Sequence, residues 1–257
     1  MPELPDVEVF SSNLNKLFAG KKLVKVKIIN GKKLKHKPSA FSKRLVGRKL
    51  KCIYRSGKEM RFEFTGGQLL GLHLMLTGDI FVFKKKNHHH STIAELFFNG
   101  TNLALTDRMG NANIKLDPID KAGVDAISKD LNFKYLKSAL QSKATIKKLL
   151  TNQDIIRGIG NSYSDEILWE ARISPYSISN KIPHEKVKEL ATVIKNRLKK
   201  AITQITKIHK GKINVEVKEF LRIHTTQKAK SPTGAAIIID KKGMMKTYYT
   251  KEQKLYR

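Results

Sequence analysis

The stretch Gly158-Ile159-Gly160-Asn161-Ser162-Tyr163-Ser164-Asp165-Glu166-Ile167-Leu168 decides how the chain is read. It lies between two segments of helical pattern, residues 145–152 and 162–171. Its two glycines let the backbone turn tightly and come close to a phosphate, and the helix that follows offers free amides and the positive end of its dipole. Asn161 adds a neutral amide donor at the same point. Ser162 and Asp165, three residues apart, read as a capping box. Taken alone, the segment fits either a clamp on a nucleic-acid backbone or an ordinary turn between helices.

Working outward, residues 133–140 and 184–208 also repeat apolar side chains at helical period. The second of these is long, with Val187, Leu190, Val193, Ile194, Leu198, Ile202 and Ile205 as its apolar stripe and lysines on the exposed face. Near the start, Val7, Phe10, Leu14, Leu17 and Phe18 mark one short helix. Pro5 and Asp6 suit its beginning and Gly20 its end. From residue 23 to residue 116 the pattern is that of strands. Segments 23–29, 49–55, 58–65, 68–76, 79–83, 93–98, 102–105 and 113–116 follow one another, with Ser56-Gly57 and Asn99-Gly100 as hairpin turns. Many strands, short turns and no intervening helix predict an antiparallel sandwich or barrel. Asp117-Pro118 through Gly123 marks the boundary to the helical part. Beyond Gly211 the helical period is lost, and residues 235–239 and 246–250 predict a small hairpin turning over residues 240–243.

Composition narrows the partners. The chain has 257 residues, 51 Lys+Arg against 22 Asp+Glu, and a formal net charge of +29. Such a charge favours a polyanion, nucleic acid before an anionic membrane surface. A lysine-biased composition is the other source of this charge, since lysines outnumber arginines roughly four to one. The one cysteine, Cys52, excludes an internal disulfide framework and a Cys-rich zinc site. No apolar run approaches the roughly 18 residues of a membrane span. The acidic, prolyl start Met1-Pro2-Glu3-Leu4-Pro5-Asp6 is unlike a signal or transit peptide, so a soluble, cytoplasmic protein is expected, nucleoid-associated in a bacterium. His88-His89-His90 follows Lys84-Lys85-Lys86-Asn87. Three consecutive residues on a strand do not converge on one ion, and the run reads as a solvated hairpin tip.

The segment from Gly158 to Leu168, with Ile173-Ser174-Pro175 after it, resembles the helix–two-turn–helix of the formamidopyrimidine-DNA glycosylase / endonuclease VIII family. Pro2-Glu3-Leu4-Pro5-Asp6-Val7-Glu8 resembles the opening motif of the same family. Two unrelated motifs at the correct ends, a strand-rich first half and a basic hairpin extend the resemblance to essentially the whole chain. It implies an α+β multidomain fold. An antiparallel β-sandwich with a leading helix spans residues 1–122, a helix–two-turn–helix DNA-binding domain 123–221, and a metal-free β-hairpin finger 222–257, with DNA between the domains.

The resemblance further implies a bifunctional DNA glycosylase/AP lyase of base excision repair. It acts on oxidised bases in damaged double-stranded DNA, as a monomer and without a cofactor. Pro2 is small enough for the initiator Met to be removed, which exposes a secondary amine. An α-amino group titrates near neutrality, about 7.7–8.0 in model peptides. A following helix N-terminus disfavours its protonated form. Attack at sugar C1′ expels the base and leaves an iminium, an electron sink that permits β- and then δ-elimination of the phosphates. Glu3 is placed to shuttle protons, and the resemblance gives Lys58, after the Ser56-Gly57 turn, and Asn161 phosphate-binding roles. Read without it, Pro2-Glu3 is a plain chain start and Lys58 a solvated hairpin lysine.

Several positions depart from the family pattern. The family fills the gap left by an extruded base with wedge side chains. The first aligns with Leu76, with Met75 adjacent. The others fall in Asp107-Arg108-Met109-Gly110-Asn111-Ala112, where Met109 stands at the position of an intercalating Arg and Asn111 at that of a Phe. Arg108 substitutes if the segment shifts locally. At the C-terminus, four cysteines of a zinc finger align with Lys230, Thr233, Thr250 and Gln253, none of which offers the thiolate zinc takes there. Packing of Ile237, Ile239, Tyr248 and Tyr249 is expected to hold the hairpin instead. The finger's phosphate-binding Arg aligns with Met245, and Lys246 beside it is the replacement. The segment between Phe220-Leu221 and the finger is short, as in the endonuclease VIII branch, whereas Leu4 resembles the formamidopyrimidine branch. The lesion preferred stays open between oxidised purines and pyrimidines. The altered wedge segment motivates the alternative of a non-catalytic damaged-DNA-binding protein on the same scaffold. The lysine excess alone also fits an RNA-associated protein.

Overall fold

The computed structural model describes residues 1–214, 216–241 and 245–257, which fall into two compact units. The first comprises 1–120 with 205–216, the second 121–204 with 217–257. Among the described residues no helix is long and apolar enough to cross a membrane.

The first unit opens with α1 (Leu4–Phe18). Its N-cap is Glu3, whose carboxylate accepts the Asp6 amide while the Asp6 carboxylate accepts the Glu3 amide at 3.0 Å, a reciprocal cap that satisfies two otherwise orphaned donors. Val7, Phe10, Leu14 and Phe18 form its buried stripe, and Leu17 is exposed. Then come β1 (Leu23–Ile28), α2 (Pro38–Leu45), β2 (Leu50–Ser56), β3 (Glu59–Phe64), β4 (Gln68–His73), β5 (Gly78–Phe83), β6 (Thr92–Phe98), β7 (Thr101–Asp107) and β8 (Asn113–Leu116). These strands form two four-stranded antiparallel sheets, in the orders β1-β6-β7-β5 and β2-β3-β4-β8. Phe62, Phe64, Leu70, Leu96 and Leu103 help to fill the core of this sandwich. Helix α1 packs along β2, where the Asn15 side chain accepts the Ile53 amide at 2.8 Å.

Two expectations are corrected in this unit. The stretch of strands does contain a helix: in the basic segment before β2, Phe41 and Leu45 lie one turn apart and are fully buried, which is enough to fix α2. Strand β4 stops at His73 rather than reaching Leu76, because Met75 takes a left-handed φ of 54° that ends an extended run.

The second unit contains β9 (Val124–Asp125), α3 (Phe133–Ala139), α4 (Ile146–Thr151), β10 (Ile156–Arg157), α5 (Asn161–Glu170), α6 (His184–Ile208), β11 (Ile238–Asp240) and β12 (Thr247–Tyr249), α6 running into the segment counted with the first unit. The strands β9 and β10 pair in parallel, and β11 pairs with β12 antiparallel. The last pair is the expected hairpin, although residues 242 and 243 of its turn lie outside the described residues. Its packing differs in part from expectation. Tyr248 is buried against Trp169 and Ile223, with Ile237 against them, and Tyr249 meets the Tyr176 ring edge-on, whereas Ile239 is exposed.

Candidate active site

In the first unit, Pro2 and Glu3 are buried at the N-terminus of α1. Met1 precedes them, and its ammonium pairs with Glu216 at 2.7 Å. Lys58 follows Gly57, whose φ of 58° is the left-handed conformation that glycine adopts without strain and that lets β2 turn into β3. Arg55 fixes this turn to α1: its Nε donates to Glu8 at 2.7 Å and its Nη1 to the Gly57 carbonyl at 3.1 Å. Burial holds the Lys58 ammonium below its ordinary range, and the Glu3 carboxylate pulls it back up. Lys58 and Glu3 are therefore electrostatic neighbours, and with Pro2 they gather at one end of the helix.

His73 also belongs here, although nothing in the sequence singled it out. Burial, then Lys58, then Lys115 push its pKa down to about 4. Its Nδ1 accepts the Met75 amide at 3.0 Å, so the neutral ring carries its proton on Nε2.

The wedge candidates sit on two loops, and one carboxylate ties the loops together. Leu76 is 61% exposed and Met109 57%, so both present uncovered apolar surface. Asp107 accepts the Thr77 hydroxyl from one loop and the amides of Met109 at 2.9 Å, Asn111 at 2.7 Å and Ala112 at 2.6 Å from the other. Burial raises the Asp107 pKa, but these four donors outweigh it and hold the carboxyl below its usual range. The Asn111 side chain is engaged by Lys33 at 2.6 Å. Arg108 is exposed and lines an open cavity of about 490 Å³ with Thr77, His89 and His90. The histidine run is solvent-exposed, as expected, and His89 stacks on Phe81 at 3.5 Å between centroids.

In the second unit, Gly158 has φ 104°, a conformation other residues rarely adopt, and Gln153 shapes the turn around it. The Gln153 side chain accepts the Gly158 amide at 2.9 Å and donates to the Ile159 carbonyl at 2.7 Å. Helix α5 then starts at Asn161 with Gly160 as N-cap and no side-chain cap. The capping box expected from Ser162 and Asp165 is therefore absent. Asp165 is fully buried, and it pairs with Lys147 and His224, each at 2.7 Å, and accepts the Tyr248 amide at 3.0 Å. Lys147 continues to the Thr247 hydroxyl at 2.9 Å and the Lys246 carbonyl at 3.3 Å. Asn161 donates to the same carbonyl at 3.0 Å, and its Oδ1 is buried with no hydrogen-bond partner among the described residues. The two expected phosphate contacts of this unit, Asn161 and the exposed Lys246, are thus joined at one carbonyl.

Glu166 makes a second buried hub. One of its oxygens pairs with Arg197 at 2.7 Å, and the other accepts the amides of Arg222 and Ile223 at 2.8 Å and His224 at 3.0 Å.

The four finger positions do not suit a metal. Thr233 donates to Glu252, Thr250 donates to Glu252, and Gln253 donates to the Ile173 carbonyl. Neither these side chains nor Lys230 is a thiolate or an imidazole, the ligands of a structural zinc. Among the described residues no group of three or more His, Cys, Asp or Glu is placed to hold a metal ion.

Comparison with known proteins agrees with this arrangement. The model of the formamidopyrimidine-DNA glycosylase N-terminal domain matches residues 1–112, and that of the formamidopyrimidine-DNA glycosylase H2TH domain matches residues 122–212. The formamidopyrimidine-DNA glycosylase of Lactobacillus gasseri is 33% identical over 204 residues, which covers 74% of this chain and 73% of the relative. That of Mycoplasmopsis pulmonis is 31% identical over 248 residues, covering 88% and 87%. Among solved structures, the Lactococcus lactis formamidopyrimidine-DNA glycosylase bound non-covalently to DNA containing an AP site superposes with a TM-score of 0.88 at 24% identity, covering 98% of this chain and all of that one. The two motif segments, the sandwich with its leading helix and the helical unit with its terminal hairpin together place the chain in the formamidopyrimidine-DNA glycosylase / endonuclease VIII family.

Proposed function

We propose that this chain is a DNA glycosylase of base excision repair, and that it is bifunctional, with the Pro2 amine as nucleophile once Met1 is removed. Damaged double-stranded DNA is its substrate and it works as a monomer. Pro2 N forms a bond to C1′ as the bond from C1′ to the damaged base breaks. The base leaves with that electron pair and takes up a proton, and opening of the sugar ring leaves the iminium. Loss of a C2′ proton then expels the 3′-phosphate. Glu3 moves these protons, and Lys58 holds the phosphate beside the lesion. Leu76 and Arg108 occupy the space of the extruded base, and Asn161 and Lys246 grip the backbone. In functional terms residues 1–122 carry the chemistry, 123–221 the helix–two-turn–helix and 222–257 the finger.

One observation carries this reading. A carboxylate and a desolvated ammonium gather at the start of α1, beside Pro2, whose nitrogen becomes a terminal secondary amine once Met1 is removed. Borohydride trapping on an abasic-site duplex tests it. Protein with a free Pro2 amine gives a covalent adduct, and protein that keeps Met1 gives none. No adduct from the free-amine protein refutes the lyase. It would leave the non-catalytic damaged-DNA-binding reading, which Met109 and Asn111 at the wedge positions favour.

A further inference from the structure

Two turns face each other at the base of the finger. Residues 231–234 form the first, closed by the Gly234 amide donating to the Ser231 carbonyl at 2.9 Å and flanked by the Lys230–Ala236 bridge. Residues 250–253 form the second, closed by the Thr250 amide donating to the Gln253 side chain at 2.8 Å. A single oxygen, Oε2 of Glu252, joins them: it accepts the Thr233 hydroxyl of the first turn at 2.8 Å and the Thr250 hydroxyl of the second at 3.2 Å. The same oxygen pairs with the Arg172 guanidinium at 2.8 Å, just beyond the end of α5. Ser231 and Thr233 share a further bond at 2.9 Å, and Gln253 donates to the Ile173 carbonyl at 2.8 Å. Arg172 has φ 57°, a left-handed conformation that a non-glycine residue keeps only where its surroundings hold it.

Three of the four positions at which relatives carry zinc ligands, Thr233, Thr250 and Gln253, are therefore spent on this cluster. We propose that the Glu252-centred knot cross-links the finger in the mechanical role a metal ion has where four thiolates are present, and that Glu252 is a positioning residue for the DNA contacts of Lys246 and Asn161. The link to those contacts runs through strand β12. Strand β12 is held at its far end by the knot, through Thr250, and at its near end by Lys147 and Asp165, through Thr247 and Tyr248. Lys246 is the residue just before that strand. Charge and fixed geometry let one carboxylate oxygen hold three separate segments, since bonds to an ionised acceptor are shorter and stronger than neutral ones. The hydrogen bonds from Thr233 and Thr250 and the Arg172 pair also keep the Glu252 carboxyl below its usual range, so it is ionised at neutral pH.

The DNA part of the proposal rests on the function proposed above, and the experiment separates the two. Glu252→Ala removes all three contacts of the knot and is expected to weaken binding to an abasic-analogue duplex by about tenfold, while turnover at saturating DNA stays at the parent value. Glu252→Gln keeps an acceptor and the fold, and falls between. Amide exchange of Ser231, Gly234 and Ile237 speeds up in both variants, a readout that needs no DNA. A second chain carrying Lys230→Cys, Thr233→Cys, Thr250→Cys and Gln253→Cys breaks the knot, and zinc chloride alone is expected to restore its duplex binding with one zinc bound per chain. Parent-like binding and exchange in Glu252→Ala overturn the proposal. So does a four-cysteine chain that binds no zinc, or binds it without regaining affinity. If the parent chain itself fails to prefer the abasic-analogue duplex, the proposed function falls. The exchange and zinc-stoichiometry results still decide the knot.

Discussion

Replacing Glu166 by alanine is expected to loosen the second unit far more than its place in a helix suggests. Glu166 is completely buried, and so, to within 1%, is the Arg197 side chain it pairs with. Alanine leaves that guanidinium charged, in the interior and without its carboxylate, which costs about 3–5 kcal/mol. It also removes the acceptor of three consecutive amides. Those of Arg222 and His224 are partly buried and can be rehydrated, but that of Ile223 is buried and adds about 1–3 kcal/mol. A total near 5 kcal/mol is a large share of the 5–15 kcal/mol by which domains of this kind are stable. With a urea m-value of about 2–3 kcal/mol per molar, the midpoint falls by about 2 M. The one tryptophan of the chain, Trp169, lies less than a turn further along α5 against Ile223, so its fluorescence follows this transition directly. Combining Glu166→Gln with Arg197→Met removes the unpaired charge and recovers part of the loss. A midpoint within 0.5 M of the parent, by the same order-of-magnitude scale, or unchanged exchange of the 222–224 amides, would refute the reasoning.

Three further outcomes are expected. His73 titrates near pH 4 by NMR, and Lys58→Met moves it upward but not to 6.5, because burial comes first among its causes. A histidine whose folded pKa is depressed binds fewer protons folded than unfolded, so its contribution is complete above pH 6.5 and falls by at most about 3 kcal/mol as pH drops towards 4, measurable as urea midpoints across that window. Asp107→Asn turns one acceptor oxygen of the loop-joining carboxylate into a donor and is expected to cost about 2 kcal/mol in chemical denaturation, with faster exchange at Met109, Asn111 and Ala112. Parent-like exchange there contradicts the tie between the loops. In duplex titrations over a range of salt, Lys246→Ala lowers the slope of log K against log salt by about 0.9, whereas Asn161→Ala weakens binding with the slope unchanged, as suits a neutral donor. An equal change of slope in both variants rules out these separate roles.

Much of the architecture was legible because local rules act at short range. The stripe of Val7, Phe10, Leu14 and Phe18 needs only the helical repeat, and Ser56-Gly57 and Asn99-Gly100 need only the freedom of glycine. The resemblance pointed to Pro2, Glu3 and Asn161 because the motif residues lie next to one another in the chain. Helix α2 escaped because two apolar residues in a basic run give almost no period, and Met75 escaped because a left-handed methionine has no signature.

What the sequence by itself determined was the order of strand-rich and helical parts, the chain's motifs and the absence of thiolates at the finger. What only the tertiary structure decided was the use of the buried charges. Asp165 reads as a cap residue, and nothing in the sequence singles out Glu166, since isolated carboxylates ordinarily stay in water. They are buried because folding delivers partners from far along the chain: His224 from 59 residues away and the Tyr248 amide from 83 in one case, Arg197 in the other. Glu252, which stays at the surface, likewise gains Thr233 and Arg172 only through the fold. A charge leaves solvent only when its partners are already in place, and that condition is met in three dimensions, not along the chain.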